Sequence, residues 1–295
     1  MVKTLWMAMR PQSFLISAVS VSVGTSLAAL QGPVDWTAFL ATLMGVIFLH
    51  GGANVINDYF DFRYQVDRAD GTASFGTEAR VLIRGLLTPP QVLAFGVTVY
   101  ALAIPIGVYL ITLRGMTILV LGIIGLITGV CYTARPVALK YKALGEAAVF
   151  IMFGPLMVSG AYFVQRAEFS ALAAWVSVPF GVFTALVLLA NNIRDVGFDG
   201  RAGIHTVATV LGGRRATTTY RVFILVAYGL IGLMVAMGLL GPWTLLSWLS
   251  FPVALRLIGM FSKGVPVDGD ARTAQLDALF GLLLILGLQI ERFIR

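Results

Sequence analysis

The stretch FLATLMGVIFLHGGANVINDYFDFRYQVD, residues 39–67, runs from a largely apolar half into an acidic one. Asp58, Asp61 and Asp67, with Asp70 just beyond, crowd the end of a segment suited to lipid. Ionised carboxylates are costly near hydrocarbon, and like charges one helical turn apart repel. Their presence together implies that they hold a cation.

The rest of the chain supports a membrane reading of this stretch. Of 295 residues, 58% are hydrophobic and 12% charged, against roughly 25% charged in soluble domains. Mean hydropathy is +0.89. The apolar residues come in long blocks, and a bilayer-spanning helix needs about 20 of them. Nine such segments are predicted, over 13–30, 37–57, 91–112, 115–133, 147–165, 171–193, 219–239, 243–261 and 275–293. The short alternating strands of a β-barrel are missing from the sequence. The fold class is therefore all-α and polytopic, with residues 1–295 read as one transmembrane domain.

Lysine and arginine set the expected orientation. All but four of the 21, the exceptions being Arg114, Arg166, Arg292 and Arg295, fall at the amino terminus or in every second connection. This places the amino terminus and the two long loops, about 58–90 and 194–218, in the cytoplasm, with a prokaryotic cytoplasmic membrane as the expected location. The net charge of +7 then belongs to one face, where it serves topology and contact with anionic lipid. Nucleic acid is not an expected partner, because a basic, aromatic-studded soluble domain is lacking. One cysteine, Cys131, precludes an intrachain disulfide or a cysteine metal cluster. With Pro11 at its start and further spans behind it, the first segment reads as an uncleaved helix rather than a signal peptide.

An internal echo enlarges the acidic motif. ANVINDYFDFR ends the second segment (53–63), and ANNIRDVGFDGR ends the sixth (190–201). On a helix, Asn54, Asn57 or Asp58, and Asp61 share one face by their three- and four-residue spacing. Asn191 or Asn192, Asp195 and Asp199 do the same. Two helix ends on one membrane side thus each offer a stripe of oxygen ligands. Such stripes suit Mg2+, which prefers oxygen and binds through one or two carboxylates plus substrate phosphates. Zinc is disfavoured, since His50 and His205 are the only histidines and lie far apart in sequence. His50 reads as a packed or hydrogen-bonded helix residue. Asp70, Glu78, Asp268 and Asp270 read as solvated or loop-stabilising. Nearby cations complete the pattern: Arg80 and Arg84, Lys140 and Lys142, Arg201 and His205, of the kind a bound polyphosphate requires.

NDYFDFRYQVD resembles the first aspartate-rich motif of the UbiA superfamily of intramembrane prenyltransferases, and NNIRDVGFD resembles its second. RPQSF near the start, RVLIRGLLTP, YTARPVALKYKALGE and FGPLMVSGAYF are most similar to the menaquinone-pathway branch, which attaches a polyprenyl chain to 1,4-dihydroxy-2-naphthoate. The resemblance implies helices around a central cavity, a polyprenyl diphosphate donor and an aromatic acceptor. It implies one Mg2+ on Asn57, Asp58, Asp61 and Asp67, and a second on Asp195 and Asp199, with the diphosphate between them. Arg10, Asn54, Tyr132, Asn191 and Asn192 join the cations above as expected substrate contacts. Two positions depart from the pattern. The menaquinone branch usually has Gly-Lys-x-Thr where this chain reads Gly203-Ile204-His205-Thr206, so that His205 stands where ubiquinone-type relatives carry lysine, and Arg135 stands where the branch often has glycine. Hydroxybenzoate is the alternative acceptor. An ion-coupled transporter is the rival activity, disfavoured because the acids gather at one side and continue into loops instead of sitting near midplane.

Overall fold

The computed structural model describes residues 1–65 and 81–294. A short helix α1 (Val2–Ala8) is followed by α2 (Phe14–Ala29) and α3 (Trp36–Arg63). After the undescribed segment come α4 (Pro89–Arg114), α5 (Met116–Cys131), α6 (Gly145–Ile151), α7 (Met157–Arg166) and α8 (Ala171–Arg201). The chain ends with α9 (Val207–Leu211), α10 (Gly213–Ala236), α11 (Phe251–Lys263) and α12 (Gly269–Ile294).

Eight helical units among the described residues are long and apolar enough to cross a membrane. The fourth of the nine predicted segments, 115–133, is the exception. It forms α5, a shorter apolar helix of 16 residues between Gly115, at φ 81°, and a loop from Tyr132, and it returns the chain from the end of α4 to the side on which Lys140 meets Asp61. Segment 147–165 is also less regular than its pattern implies. Pro155 offers no N–H for the helical ladder, and a π-helical turn, Met152–Leu156, divides α6 from α7. The segment over 243–261 opens on a 3-10 stretch, Pro242–Ser250, before α11.

Helix starts follow local chemistry. The Asp35 side chain accepts from Ala38 N at 2.9 Å to begin α3, and Thr88 with Gln91 forms a capping box before the Pro89-Pro90 start of α4. Length decides where the acidic motifs sit. At 28 and 31 residues, α3 and α8 extend roughly 42 and 46 Å, well beyond a hydrocarbon core of about 30 Å. Their last turns, which carry both motifs, therefore continue past the lipid as helix.

The largest core joins α2, α7, α8, α10, α11 and α12 around Tyr162, Phe180, Phe183, Tyr220 and Phe280, while α3 packs chiefly on α4 and α2. Hydrophobic transfer cannot drive helices together inside lipid, so close van der Waals approach must. Gly154 and Gly181 show this. A Cβ on Gly154 would sit 2.7 Å from Ser177 O and 2.8 Å from Gly181 Cα. Gly154→Val is expected to destabilise the detergent-solubilised protein by about 1–3 kcal/mol, read as a lower melting temperature, whereas Gly107→Ala, where a Cβ meets open space, should leave it unchanged.

Candidate active site

A cavity of about 1170 Å³ lies among α3, α4, α5, α7 and α8. Its polar end holds Asp61, Lys140, Tyr141, Asp195 and Asp199, and its walls toward the far side are Thr42, Ile111, Leu121 and Val164. Thr42 and Asp61 are 19 residues apart on one helix, or roughly 28 Å, so the cavity extends through most of the membrane depth. A polar end on a long apolar tube suits a ligand with a charged head and a hydrocarbon tail.

At the first motif, Asn57, Asp58 and Asp61 are all buried, Asp61 to 2% exposure. Asp61 accepts from Lys140 Nζ at 2.6 Å and from the Tyr141 hydroxyl. Asn57 donates to Thr133 Oγ1 at 2.5 Å. All three contacts come from one loop, 132–144, which Lys140 N to Tyr132 O (2.9 Å) closes and Ala143 N to His205 O (2.7 Å) docks on the loop after α8. Asp58 is ion-paired with Arg10 and does not line the cavity, whereas Arg10 does.

Arg10 reaches Asp58 because it turns the chain in the left-handed region, at φ 55° and ψ 60°. Ser13 Oγ donates to Arg10 O at 2.7 Å, and Asn54 Nδ2 donates to Met9 O and Ser13 Oγ. His50 completes the brace, with Nδ1 2.8 Å from Ser17 Oγ and Nε2 3.3 Å from Ser13 Oγ, between the rings of Phe14 and Phe153. Since the Ser13 proton goes to Arg10 O, Ser13 accepts from Nε2–H, and Nδ1 accepts from Ser17. His50 thus supports the motif one turn below it.

At the second motif, Arg194 Nε and Nη2 donate to the two Asp195 oxygens at 3.0 and 2.9 Å. Asn192 Nδ2 donates to Glu146 Oε1 at 2.9 Å, and Asn191 Oδ1 accepts from Arg194 at 2.5 Å. The Asp199 carboxylate makes no hydrogen bond or ion pair among the described residues, yet feels the charges of Asp195, Lys140 and Arg194. Lys140 therefore links the motifs, bonded to Asp61 and within electrostatic reach of Asp199. Just past α5, burial pushes the Tyr132 phenol up to about 12, so it enters the site as a neutral O–H.

Of the sequence-predicted residues, the cavity gathers Arg10, Asn54, Asn57, Asp61, Tyr132, Lys140, Asn191, Asn192, Asp195, Asp199 and Arg201. Arg84 is exposed on the turn before α4, and Lys142 and His205 are exposed and outside the lining. Lys142 Nζ donates to Pro136 O, and His205 meets Lys142 through backbone. Asp67 and Arg80 lie outside the described residues, as do Asp70 and Glu78. Beside Arg194 of the second motif, four participants outside the motifs escaped the sequence reading: Thr133, Tyr141, Glu146 and Asp270. Asp270, read as a solvated loop residue, is 3% exposed, lines the cavity and accepts from Arg194 Nη1 at 3.2 Å. No motif spacing marks these residues, because they come from loop 132–144, α6 and α12, outside both acidic motifs.

The UbiA prenyltransferase family model matches residues 17–283. The chain belongs to that family. A relative from Bacillus subtilis, 1,4-dihydroxy-2-naphthoate octaprenyltransferase, is 29% identical over 98% of this chain and 93% of its own length. UbiA prenyltransferase domain-containing protein 1 of Danio rerio is 32% identical over 96% of this chain and 82% of its own. Among solved structures, a UbiA homologue from Archaeoglobus fulgidus bound to DMAPP and Mg2+ aligns over 99% of both chains with a TM-score of 0.72 at 14% identity. This UbiA chain is an integral membrane prenyltransferase.

Proposed function

We propose that the chain transfers a polyprenyl group from its diphosphate to 1,4-dihydroxy-2-naphthoate, with Mg2+ as cofactor. The observation that carries this reading is the pair of acidic helix ends at the polar mouth of a long apolar cavity. The menaquinone-type acceptor is supported by the Bacillus subtilis relative, which matches nearly end to end. The diphosphate and metal are supported by the Archaeoglobus fulgidus homologue with DMAPP and Mg2+.

The residues fit magnesium. Every candidate ligand is an oxygen, and Asp61 and Asp195 already bind cationic partners. Among the described residues, no three His, Cys, Asp or Glu converge as a metal cage. Each motif thus offers one or two carboxylates, leaving diphosphate and water to complete an octahedral shell, as Mg2+ prefers. We assign one ion to Asn57 and Asp61, with Asp58 and Asp67 as further candidates, and another to Asp195 and Asp199. Bound Mg2+ would neutralise the departing diphosphate.

The chain's own groups do the rest. Lys140, Arg10 and Arg201 put fixed positive charge at the polar end, where negative charge grows as the allylic carbon–oxygen bond breaks. Tyr132 offers a neutral donor, and Asn191 and Asn192 orient the second motif. The apolar walls keep water from an allylic cation until the electron-rich ring attacks it, and the ring regains aromaticity as the attacked carbon releases its carboxylate as CO2. The loops that carry these residues face the cytoplasm, by the distribution of lysine and arginine.

The test is purified protein with Mg2+, mixed prenyl diphosphates and either 1,4-dihydroxy-2-naphthoate or 4-hydroxybenzoate, read by mass spectrometry. A prenylated naphthoquinol is expected. Product from hydroxybenzoate alone would move the acceptor assignment and keep the mechanism. A smaller change is also informative: with its side chain outside the cavity, His205→Lys should alter turnover by less than about threefold, within the range of ordinary surface substitutions. A tenfold gain would give His205 the diphosphate contact of the family lysine.

A further inference from the structure

Arg194 occupies an awkward place for a metal site. It is 7% exposed in its side chain, it chelates both oxygens of Asp195, and it sits at the polar end of the cavity. A guanidinium in fork geometry on a carboxylate forms a closed, neutral pair. Such a pair has little attraction for a divalent cation, and its positive half repels one. Asp195 would then be a poor ligand despite its position in the motif.

Asp270 changes the charge balance. From the first turn of α12 its carboxylate accepts from Arg194 Nη1 at 3.2 Å, beside Val267 O at 3.1 Å on the same nitrogen. Its side chain is 3% exposed, and it too lines the cavity. Arg194, Asp195 and Asp270 together carry one negative charge, the same as an unencumbered Asp195. Arg194 also has an anionic partner already in contact when a cation draws on the Asp195 oxygens.

We infer that Asp270 is a positioning residue for the second acidic motif: it neutralises Arg194 and so leaves Asp195 available to a divalent cation. This rests on the metal reading above and adds a residue outside both motifs. The effect is electrostatic, so it has a sign that simple structural support lacks. Removing the Asp270 charge weakens cation binding, and removing the Arg194 charge strengthens it.

The experiment is a titration of purified protein in detergent with Mn2+ and inorganic pyrophosphate, free Mn2+ being read by electron paramagnetic resonance. Asp270→Asn is expected to weaken Mn2+ binding about tenfold, as one unit charge near the ion should. Asp270→Glu should stay close to wild type, and Arg194→Gln should bind as tightly or more so. The double variant Arg194→Gln/Asp270→Asn restores the charge of Asp195 alone and should recover wild-type affinity. It decides the matter even where Asp270→Asn fails to fold. Equal affinity in wild type and Asp270→Asn, or a double variant as weak as that single one, overturns the inference and leaves Asp270 as a strut between α8 and α12. A wild type that takes up no Mn2+ overturns the metal reading itself, and the inference with it.

Discussion

Asp61→Asn is expected to lower prenyl transfer by at least about 10²–10³-fold, the scale of losing a main electrostatic contributor to a transition state. Asp61 is more enclosed than Asp58 and receives both Lys140 and Tyr141. Asparagine keeps the shape but removes the charge that would hold a cation. The same change also removes the carboxylate that Lys140 bonds at 2.6 Å, so stability has to be followed beside activity. The double variant Asp61→Asn/Lys140→Gln separates the two effects. It should regain part of any lost melting temperature, because both charges of the pair are removed together, while activity stays at the floor. Recovery of turnover in the double variant would mean that Asp61 serves only to seat Lys140.

That pairing was not readable from the sequence, although its parts were. Spacing alone puts Asn54, Asn57 or Asp58, and Asp61 on one helical face, and the echo in α8 does the same for Asn191 or Asn192, Asp195 and Asp199. Hydropathy found the spans because lipid demands long apolar runs. It also found α5, whose 16 residues between Gly115 and the turn at Tyr132 are fewer than the run over 115–133. The site was less legible wherever contacts cross between elements. Loop 132–144 looked like a source of cations, and its Thr133 and Tyr141 hydroxyls acquire meaning only once the loop folds over α3. Asp270 and Glu146 precede long apolar runs, where an acid usually reads as a helix-start charge favoured by the dipole. Their burial against Arg194 and Asn192 depends on where α12 and α6 dock, which no local pattern encodes. Lys142 and His205 were the opposite case. Their residue types suited phosphate, but the chain directs both side chains outward and uses their backbones to join two loops.

Asp199→Asn should separate function from stability more cleanly than any other substitution in the site. Its carboxylate has no hydrogen-bond or ion-pair partner among the described residues, and Asp195 lies one helical turn away on the same face. Like charges at this spacing cost a helix about 0.2–0.5 kcal/mol. Neutralising Asp199 relieves that repulsion and strands no cation, so the melting temperature without metal should hold or rise slightly. Prenyl transfer should nevertheless fall by about 10²–10³-fold, because the second motif would keep only Asp195 for the ion that faces the diphosphate. Mg2+ added with pyrophosphate should raise the melting temperature of wild type more than that of the variant, since a ligand stabilises in proportion to its binding of the folded state. A variant that loses stability and activity together would make Asp199 a structural residue. One that keeps full activity would leave the second motif with Asp195 as its sole working carboxylate.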